Sequence, residues 1–142
     1  MKLRRSFVVI LLLFPILLTS QTIRSQDRYG KKLFFLEGNS LKAEDRYGEK
    51  LLYFQDNSIR LKDRYGEALY FLDENTVRVK NRYGDALLFF DGFHIRAEDK
   101  YGEKLYFLDG QTLRRENRYG EKVFFFEGIP EKWVISAVIL FR

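Results

Sequence analysis

Hydrophobic and polar positions repeat along this chain with a period of 18 residues. Five full copies begin at Asp27, Asp45, Asp63, Asn81 and Asp99, and a truncated sixth copy spans residues 117–128. A fixed short period indicates one supersecondary unit used repeatedly, so the fold depends on how the units stack. Because a catalytic site normally breaks such symmetry, the regularity of the pattern also argues against an enzyme.

Each unit contains two segments of about five residues, the usual length of a strand. The first is apolar throughout, as in residues 33–36, whereas the second alternates, with Leu41 and Ala43 apolar and Lys42 polar. This pattern predicts a β-hairpin whose first strand is buried on both faces and whose second strand is buried on one. No pattern of helical period occurs in residues 21–128.

Two turns separate these strands. The first reads Asp/Asn-Arg/Lys-Tyr-Gly, as in residues 27–30, and predicts a type I turn followed by a left-handed glycine bulge. In this turn the Asp or Asn side chain bonds the backbone. The second turn, residues 37–40 in the first unit, has Gly or Asn at its centre, where positive φ is expected.

The two ends of the array complement each other. Gln21–Gln26 matches a second strand, and residues 122–127 form a first strand without its usual partner. Pairing of these halves leaves no open edge. The sequence therefore predicts an all-β fold of tandem hairpins closing into a radial ring, with five complete units or six if the halves pair.

The N-terminal segment, residues 1–20, has the pattern of a signal peptide. Lys2, Arg4 and Arg5 precede an apolar run, Phe7–Leu18, that is too short for a membrane span. Cleavage near Ser20 or Gln21 is expected, with an uncleaved anchor as the alternative. The mature protein is then secreted, periplasmic or on the cell surface. The chain has no cysteine, which excludes a lipoprotein anchor and disulfides.

The C-terminal segment, residues 129–142, departs from the repeat domain of residues 21–128. Pro130 favours the start of a helix, whereas the β-branched residues within 133–141 favour a strand. This apolar stretch cannot cross a bilayer, so no transmembrane span is expected in the mature chain. It is interpreted as a plug packed on the repeat domain, with an exposed docking segment as the alternative.

The Asp-x-Tyr-Gly turn, the 18-residue hairpin period, the signal peptide and the apolar tail resemble the small secreted bacterial proteins called 5-fold β-flower proteins. The resemblance covers essentially the whole mature chain. It implies hairpins arranged radially around a central axis, without catalytic activity or defined binding residues. YD-type repeats are a weaker comparison. So are choline-binding repeats, which depend on recurring tryptophans, because the only tryptophan here is Trp133.

Charge gives no sign of nucleic-acid binding. Three of the 25 basic residues and none of the 20 acidic ones precede Gln21, which leaves a net charge of +2 for the remainder. Charges of both signs alternate within each repeat, as on a solvated surface.

Candidate chemistry is sparse, and no catalytic residue, metal site or cofactor is assigned. His94, the single histidine, fills a position held by Ser or Thr in four other units and is interpreted as a turn residue. The aspartates that begin the turns are interpreted as hydrogen-bond acceptors for backbone amides of the same turn. The alternative was a calcium site using the carboxylates Asp27, Asp45, Asp63 and Asp99 with Glu49, Glu67 or Glu103.

The best functional candidate is a cation–tyrosine pair that recurs in every unit and could hold a glycan, a polyanion or a protein. The pairs are Arg28 and Tyr29, Arg46 and Tyr47, Arg64 and Tyr65, Arg82 and Tyr83, Lys100 and Tyr101, and Arg118 and Tyr119. The favoured interpretation of the repetition, however, is structural: each tyrosine packs over its neighbour's turn and covers the edge of the core, while the arginine stays in water.

We therefore expect a secreted non-catalytic protein that acts as a binding or structural module of the bacterial envelope or exterior. A glycan- or cell-wall-binding module is the alternative, with a glycan or an envelope protein as partner. An enzyme with a site near Phe93 and His94 is the less favoured class, because it needs a pocket with a perturbed ionisable group.

Overall fold

A computed structural model describes residues 20–141 of the chain. The expected signal peptide lies outside these residues, apart from Ser20. The described chain forms twelve antiparallel strands and a short C-terminal helix, α1 (Lys132–Leu140). The strands are β1 (Ser20–Ser25), β2 (Lys32–Glu37), β3 (Ser40–Ala43), β4 (Lys50–Gln55), β5 (Ser58–Leu61), β6 (Ala68–Asp73), β7 (Thr76–Val79), β8 (Ala86–Asp91), β9 (His94–Ala97), β10 (Lys104–Asp109), β11 (Thr112–Arg115) and β12 (Lys122–Phe126).

The strands form one closed barrel in which each strand pairs with its neighbours in sequence, and β12 pairs with β1. In that closing pair Ile23 lies opposite Phe126 and Arg24 opposite Phe125. The predicted all-β repeat architecture and the pairing of its two ends are therefore confirmed. Closure leaves no strand of the sheet with an unpaired edge.

The glycines of the hairpin tips have the positive φ that the sequence predicts, whereas Asn75, for which it was also expected, does not. Each tip is a two-residue loop whose first position has positive φ, and glycine occupies that position as Gly38, Gly92 and Gly110, with φ of 58–61°. Positive φ at this position is typical of the primed turns that suit the twist of a hairpin. Glu74 adopts the same conformation, with φ of 54°, although it has a Cβ.

The Asp-x-Tyr-Gly turns differ from the sequence prediction. The turn is closed as expected, since the Gly30 amide donates to the Asp27 carbonyl at 2.9 Å. However, the left-handed residue is the one before the turn, Gln26 in the first unit, with φ of 64°. The Asp27 amide donates to the Ser25 carbonyl at 2.8 Å and closes a tight turn around it. The predicted left-handed glycine bulge is therefore wrong.

Glycine is required in these turns for a steric reason. A Cβ at Gly66 would lie 1.6 Å from the carbonyl oxygen of Leu61, and the equivalent glycines give distances of 1.6–1.7 Å. That oxygen is backbone held by the barrel, so it cannot move aside cheaply. The absence of a side chain allows the turn to lie directly against the strand end.

A register shift next to each Asp-x-Tyr-Gly turn, in the strand pair that this turn joins, shapes the inner face. Between β1 and β2 the pairing steps from Phe34 directly to Lys32, which is a β-bulge. Leu33 and Phe34 consequently both pack against the core, together with buried Leu36. On the outer face Phe35 is only half-buried, so the prediction that the first strand is buried on both faces is wrong for that face.

The helix α1 fills the inside of the barrel. Eight strands enclose an interior that side chains alone can fill, so twelve strands leave a wider space. Trp133–Val138 are buried on every side of the helix, and Ile139, Leu140 and Phe141 pack against the same core. A helix about 14 Å long is marginal in water. Enclosure by the barrel therefore stabilises it and overrides the β-branched preference for a strand.

Specific contacts fix the position of α1. The indole of Trp133 stacks on Phe54 with centroids 5.1 Å apart, and Phe141 meets Phe34 edge-on at 6.3 Å. Lys132 Nζ donates to Asn75 Oδ1 at 2.7 Å, and Asn75 belongs to a hairpin tip. The helix therefore enters the barrel from the end that carries the tips.

The glycine assignment predicts that two substitutions will have different costs. Gly66→Ala should lower the free energy of unfolding by more than about 3 kcal/mol, because the new Cβ clashes with backbone. Gly110→Ala should cost only about 1–2 kcal/mol, since nothing lies within 4 Å and only left-handed strain is added. Urea denaturation of both variants measures the difference, and equal costs would contradict the steric assignment.

Filling by α1 predicts that Trp133→Ala lowers the free energy of unfolding by about 3–5 kcal/mol, because it leaves a cavity in the barrel. Ile129→Ala is the matched control, since Ile129 is 88% exposed beside the same helix. That change should stay within about 0.5 kcal/mol. Equal unfolding midpoints for the two variants would show that the helix does not support the barrel.

Candidate binding surface on the outer wall

The outward face of the barrel carries one aromatic ring per repeat. Each ring lies opposite a basic residue on one neighbouring strand and, in most repeats, a hydroxyl residue on the other, as Phe71 lies opposite Arg78 and Ser58. We call these rings the floor aromatics. They are Phe35, Tyr53, Phe71, Phe89, Phe107 and Phe125, and all are half-buried.

The basic residues beside the floor aromatics, here called the wall cations, are structural. The Arg96 guanidinium donates from Nε to Asp91 Oδ2 at 2.9 Å and from Nη1 to the Gly102 carbonyl at 3.0 Å. The set comprises Arg24, Lys42, Arg60, Arg78, Arg96 and Arg114. Each of the five arginines donates to the carbonyl of the glycine six residues on.

Lys42 forms the equivalent contacts, to a carboxylate and to a loop carbonyl, with a single nitrogen. Its Nζ donates to Glu37 Oε2 at 2.9 Å and to the Arg46 carbonyl at 3.1 Å. The hydrogen bond from Lys42 lowers the pKa of Glu37 below its usual value. These bonds hold every Asp-x-Tyr-Gly loop back against the wall. Sequence reasoning missed the wall cations, although five of the six recur seven residues after a floor aromatic, which was a usable signal.

The loops present the six predicted cation–tyrosine pairs to solvent. The loop tyrosines are 81–89% exposed, so they do not pack over neighbouring turns or cover the core edge. The packing interpretation of these tyrosines is therefore wrong. Three loop cations lie over the ring of the following tyrosine, at 5.0 Å for Arg28, 4.8 Å for Arg64 and 5.1 Å for Lys100.

The turn-starting acidic and amide side chains fix the backbone of these loops. Asp63 Oδ1 accepts the Tyr65 amide at 2.9 Å, and Asn81 does the same for Tyr83. The predicted backbone role of these residues is confirmed. Among residues 20–141, no group of three or more His, Cys, Asp or Glu residues is arranged to hold a metal ion.

Folding the loops onto the wall creates grooves between loop and floor. One such groove, of about 500 Å³, joins the floor ring Phe71 to Arg82 and Tyr83. Similar grooves join Tyr53 to Arg64 and Tyr65, with about 300 Å³, and Phe125 to Arg28 and Tyr29, with about 380 Å³. A smaller one of about 180 Å³ joins Phe35 to Arg46. We call these the wall grooves.

The two sets of cations differ in their ionic partners. Four of the wall cations lie within 3.2 Å of a carboxylate oxygen, and the Nε of Arg78 lies 3.7 Å from Asp73. None of the loop cations forms an ion pair within the described part of the chain. The loop cations therefore keep hydrogen-bond donors free at the mouths of the grooves.

One repeat departs from this regularity. His94 begins β9 rather than lying in the turn, and its ring is 5.0 Å from the floor ring Phe107. Phe93, 68% exposed at the adjacent tip, approaches the same ring at 6.3 Å. Burial lowers the pKa of His94 below its usual value, with Lys104 and Arg96 adding to the shift and Asp91 opposing it.

Comparison with protein-family models, with curated proteins and with solved structures finds no match for this chain. Within residues 20–141, no helical segment has the length and apolarity that a membrane crossing requires.

The lowered pKa of His94 predicts a pH-dependent loss of stability. As pH falls below the ordinary value of 6.5, the unfolded chain takes up the proton first, so stability is lost from there down to the folded-state pKa. His94→Thr, which introduces the residue of two other repeats, should reduce that loss. Measuring the free energy of unfolding in urea at pH 7.5 and 5.5 for both proteins tests this. The unsubstituted protein and the variant have the same carboxylates, so a difference in their pH dependence comes from His94. An identical pH dependence would contradict it.

Proposed function

We propose that this protein is an exported, non-catalytic binding module whose wall grooves hold a glycan of the bacterial envelope or exterior. The observation that carries the proposal is the recurrence of one groove type, in which a floor aromatic faces an exposed tyrosine and a free cation. Export follows from the N-terminal pattern of the sequence and gives the module access to such polymers.

The chemistry of the groove suits a sugar. Binding sites combine apolar or aromatic surface with a few fixed polar groups. The C–H face of a pyranose can lie on Phe71, while Arg82 and the phenol of Tyr83 offer hydrogen bonds to its hydroxyls. The volumes of the described grooves, about 180–500 Å³, suit short saccharide segments rather than a folded protein domain.

Repetition suits a polymer. Wall grooves recur around the outside of the barrel, so several segments of one chain, or several chains, can be held at once. Weak individual contacts then combine into useful avidity. Radial repetition around a central axis is also what the resemblance to β-flower proteins implies, and we propose that the protein is a member of that type of fold with β12 and β1 supplying its last pair of strands.

A binding experiment tests the proposal directly. The mature protein is screened by affinity electrophoresis against bacterial cell-wall preparations and a panel of neutral and acidic polysaccharides. Replacing Tyr29, Tyr65 and Tyr83 by Ala, one at a time and then together, should weaken binding progressively by about twofold to tenfold per site. Stability should hardly change, since the rings are exposed.

Ile129→Ala serves as the control, because it removes an equally exposed apolar side chain outside the wall grooves. It should leave binding unchanged. A bound polysaccharide whose affinity survives the triple tyrosine replacement would place the binding surface elsewhere, and failure to bind any member of the panel would refute the glycan proposal.

A further inference from the structure

We infer that the sugar held in the wall grooves carries one negative charge, as a uronic acid or a singly sulfated sugar does. This inference rests on the proposed glycan-binding function and adds the charge of the ligand. It is carried by the contrast between the wall cations, each of which donates to a loop carbonyl, and the loop cations, whose side chains make no hydrogen bond or ion pair within the described residues.

The wall cations show what each unit needs for its own structure. In the fifth unit, Arg114 donates from Nε to Asp109 Oδ2 at 3.2 Å and from Nη1 to the Gly120 carbonyl at 3.1 Å. One cation therefore already holds the loop. The second cation, Arg118, makes no ion pair within the described residues, and the loop fold does not require it.

The loop cations are also partly oriented. The Arg64 guanidinium lies 4.8 Å from the centroid of the Tyr65 ring, at the rim of a groove floored by Tyr53. Stacking on an aromatic ring restricts the arginine while leaving its planar edge free. Such an edge matches a carboxylate or sulfate, with which it forms short, charge-assisted hydrogen bonds.

The charges around two of the four described grooves favour a single negative charge on the ligand. The groove floored by Phe125 brings Arg28 and Lys122 together with Asp27, and the groove floored by Tyr53 brings Arg64 and Lys50 together with Asp63. Cations thus exceed carboxylates by one in each. The groove floored by Phe71 brings Arg82 together with Asp73 and Glu74, and the groove floored by Phe35 brings Arg46 together with Glu37, so a second negative charge on the ligand would add to the repulsion in both.

Paired probes separate charge recognition from sugar recognition. Polygalacturonate, alginate and chondroitin sulfate are each compared with a neutral form, methyl-esterified for the two uronans and both desulfated and methyl-esterified for the third. We expect at least one charged form to bind about tenfold more tightly than its neutral form, the worth of one charge-assisted contact. Raising the salt concentration should weaken that binding only for the charged form.

Two double variants locate the charge. Arg64→Gln with Arg82→Gln removes two loop cations, and we expect it to weaken binding of the charged probe about fivefold to tenfold. Lys62→Gln with Lys80→Gln removes the same charge beside the same two loops but outside the grooves. It is structurally conservative, because Gln26 occupies the equivalent position with φ of 64° against 66° and 60° for the lysines. This control should change affinity by less than about twofold.

The outcomes distinguish this inference from the function on which it rests. Equal binding of charged and neutral forms, lost in the tyrosine variants, would overturn the charge inference and leave the glycan function standing. Equal losses in the arginine and lysine variants would also overturn it, since binding would then follow net charge alone. Preference for the uronans or for the sulfated polymer identifies the anionic group, and failure to bind any form would overturn both proposals.

Discussion

The width of a twelve-strand barrel is the constraint on which the rest of this structure depends. Strands of this number enclose more space than their own inward side chains fill, and the C-terminal helix occupies the remainder. The helix is one non-repeating object inside a repeating wall. Inner positions must therefore vary to fit it, as Phe54 does beneath Trp133, where the neighbouring repeat has Leu36. Close packing inside the barrel accounts for the irregularity of the repeats at these positions.

The outer wall has no such asymmetric partner, so its residue types are kept in most repeats. Two arginine positions recur there with opposite uses. The wall cation donates to a loop carbonyl and keeps its loop folded back, as Arg96 does while also pairing with Asp91, whereas the loop cation makes no ion pair within the described residues. Glycine completes the arrangement, because a side chain at Gly102 would meet the Ala97 carbonyl oxygen at 1.6 Å. The groove therefore depends on the hydrogen bonds of the wall cation and on the absence of a Cβ at the glycine.

Periodicity and the matching of half-repeats were enough to predict the hairpins and the closed sheet. Strand pairing in a hairpin is local, so the alternation around Leu41 and the residues of each turn determine it. The closing pair is distant in sequence, but the second-strand pattern of Gln21–Gln26 left only one unpaired first strand, β12, for it to join. The left-handed residue of the Asp-x-Tyr-Gly turns was misplaced, because sequence does not show how near the Leu61 carbonyl comes to Gly66.

The sequence by itself therefore determined the repeat unit, the positions of its turns, the closed β-architecture and the recurrence of the cation–tyrosine pairs. Tertiary structure decided that residues 132–140 form a helix, since only the space inside the barrel stabilises so short a segment against its strand preference. It also decided that the loop tyrosines are exposed and face the floor aromatics. The groove between Tyr29 and Phe125 exists only because β1 and β12 are joined, and such contacts between distant residues are set by closure of the sheet, not by local pattern.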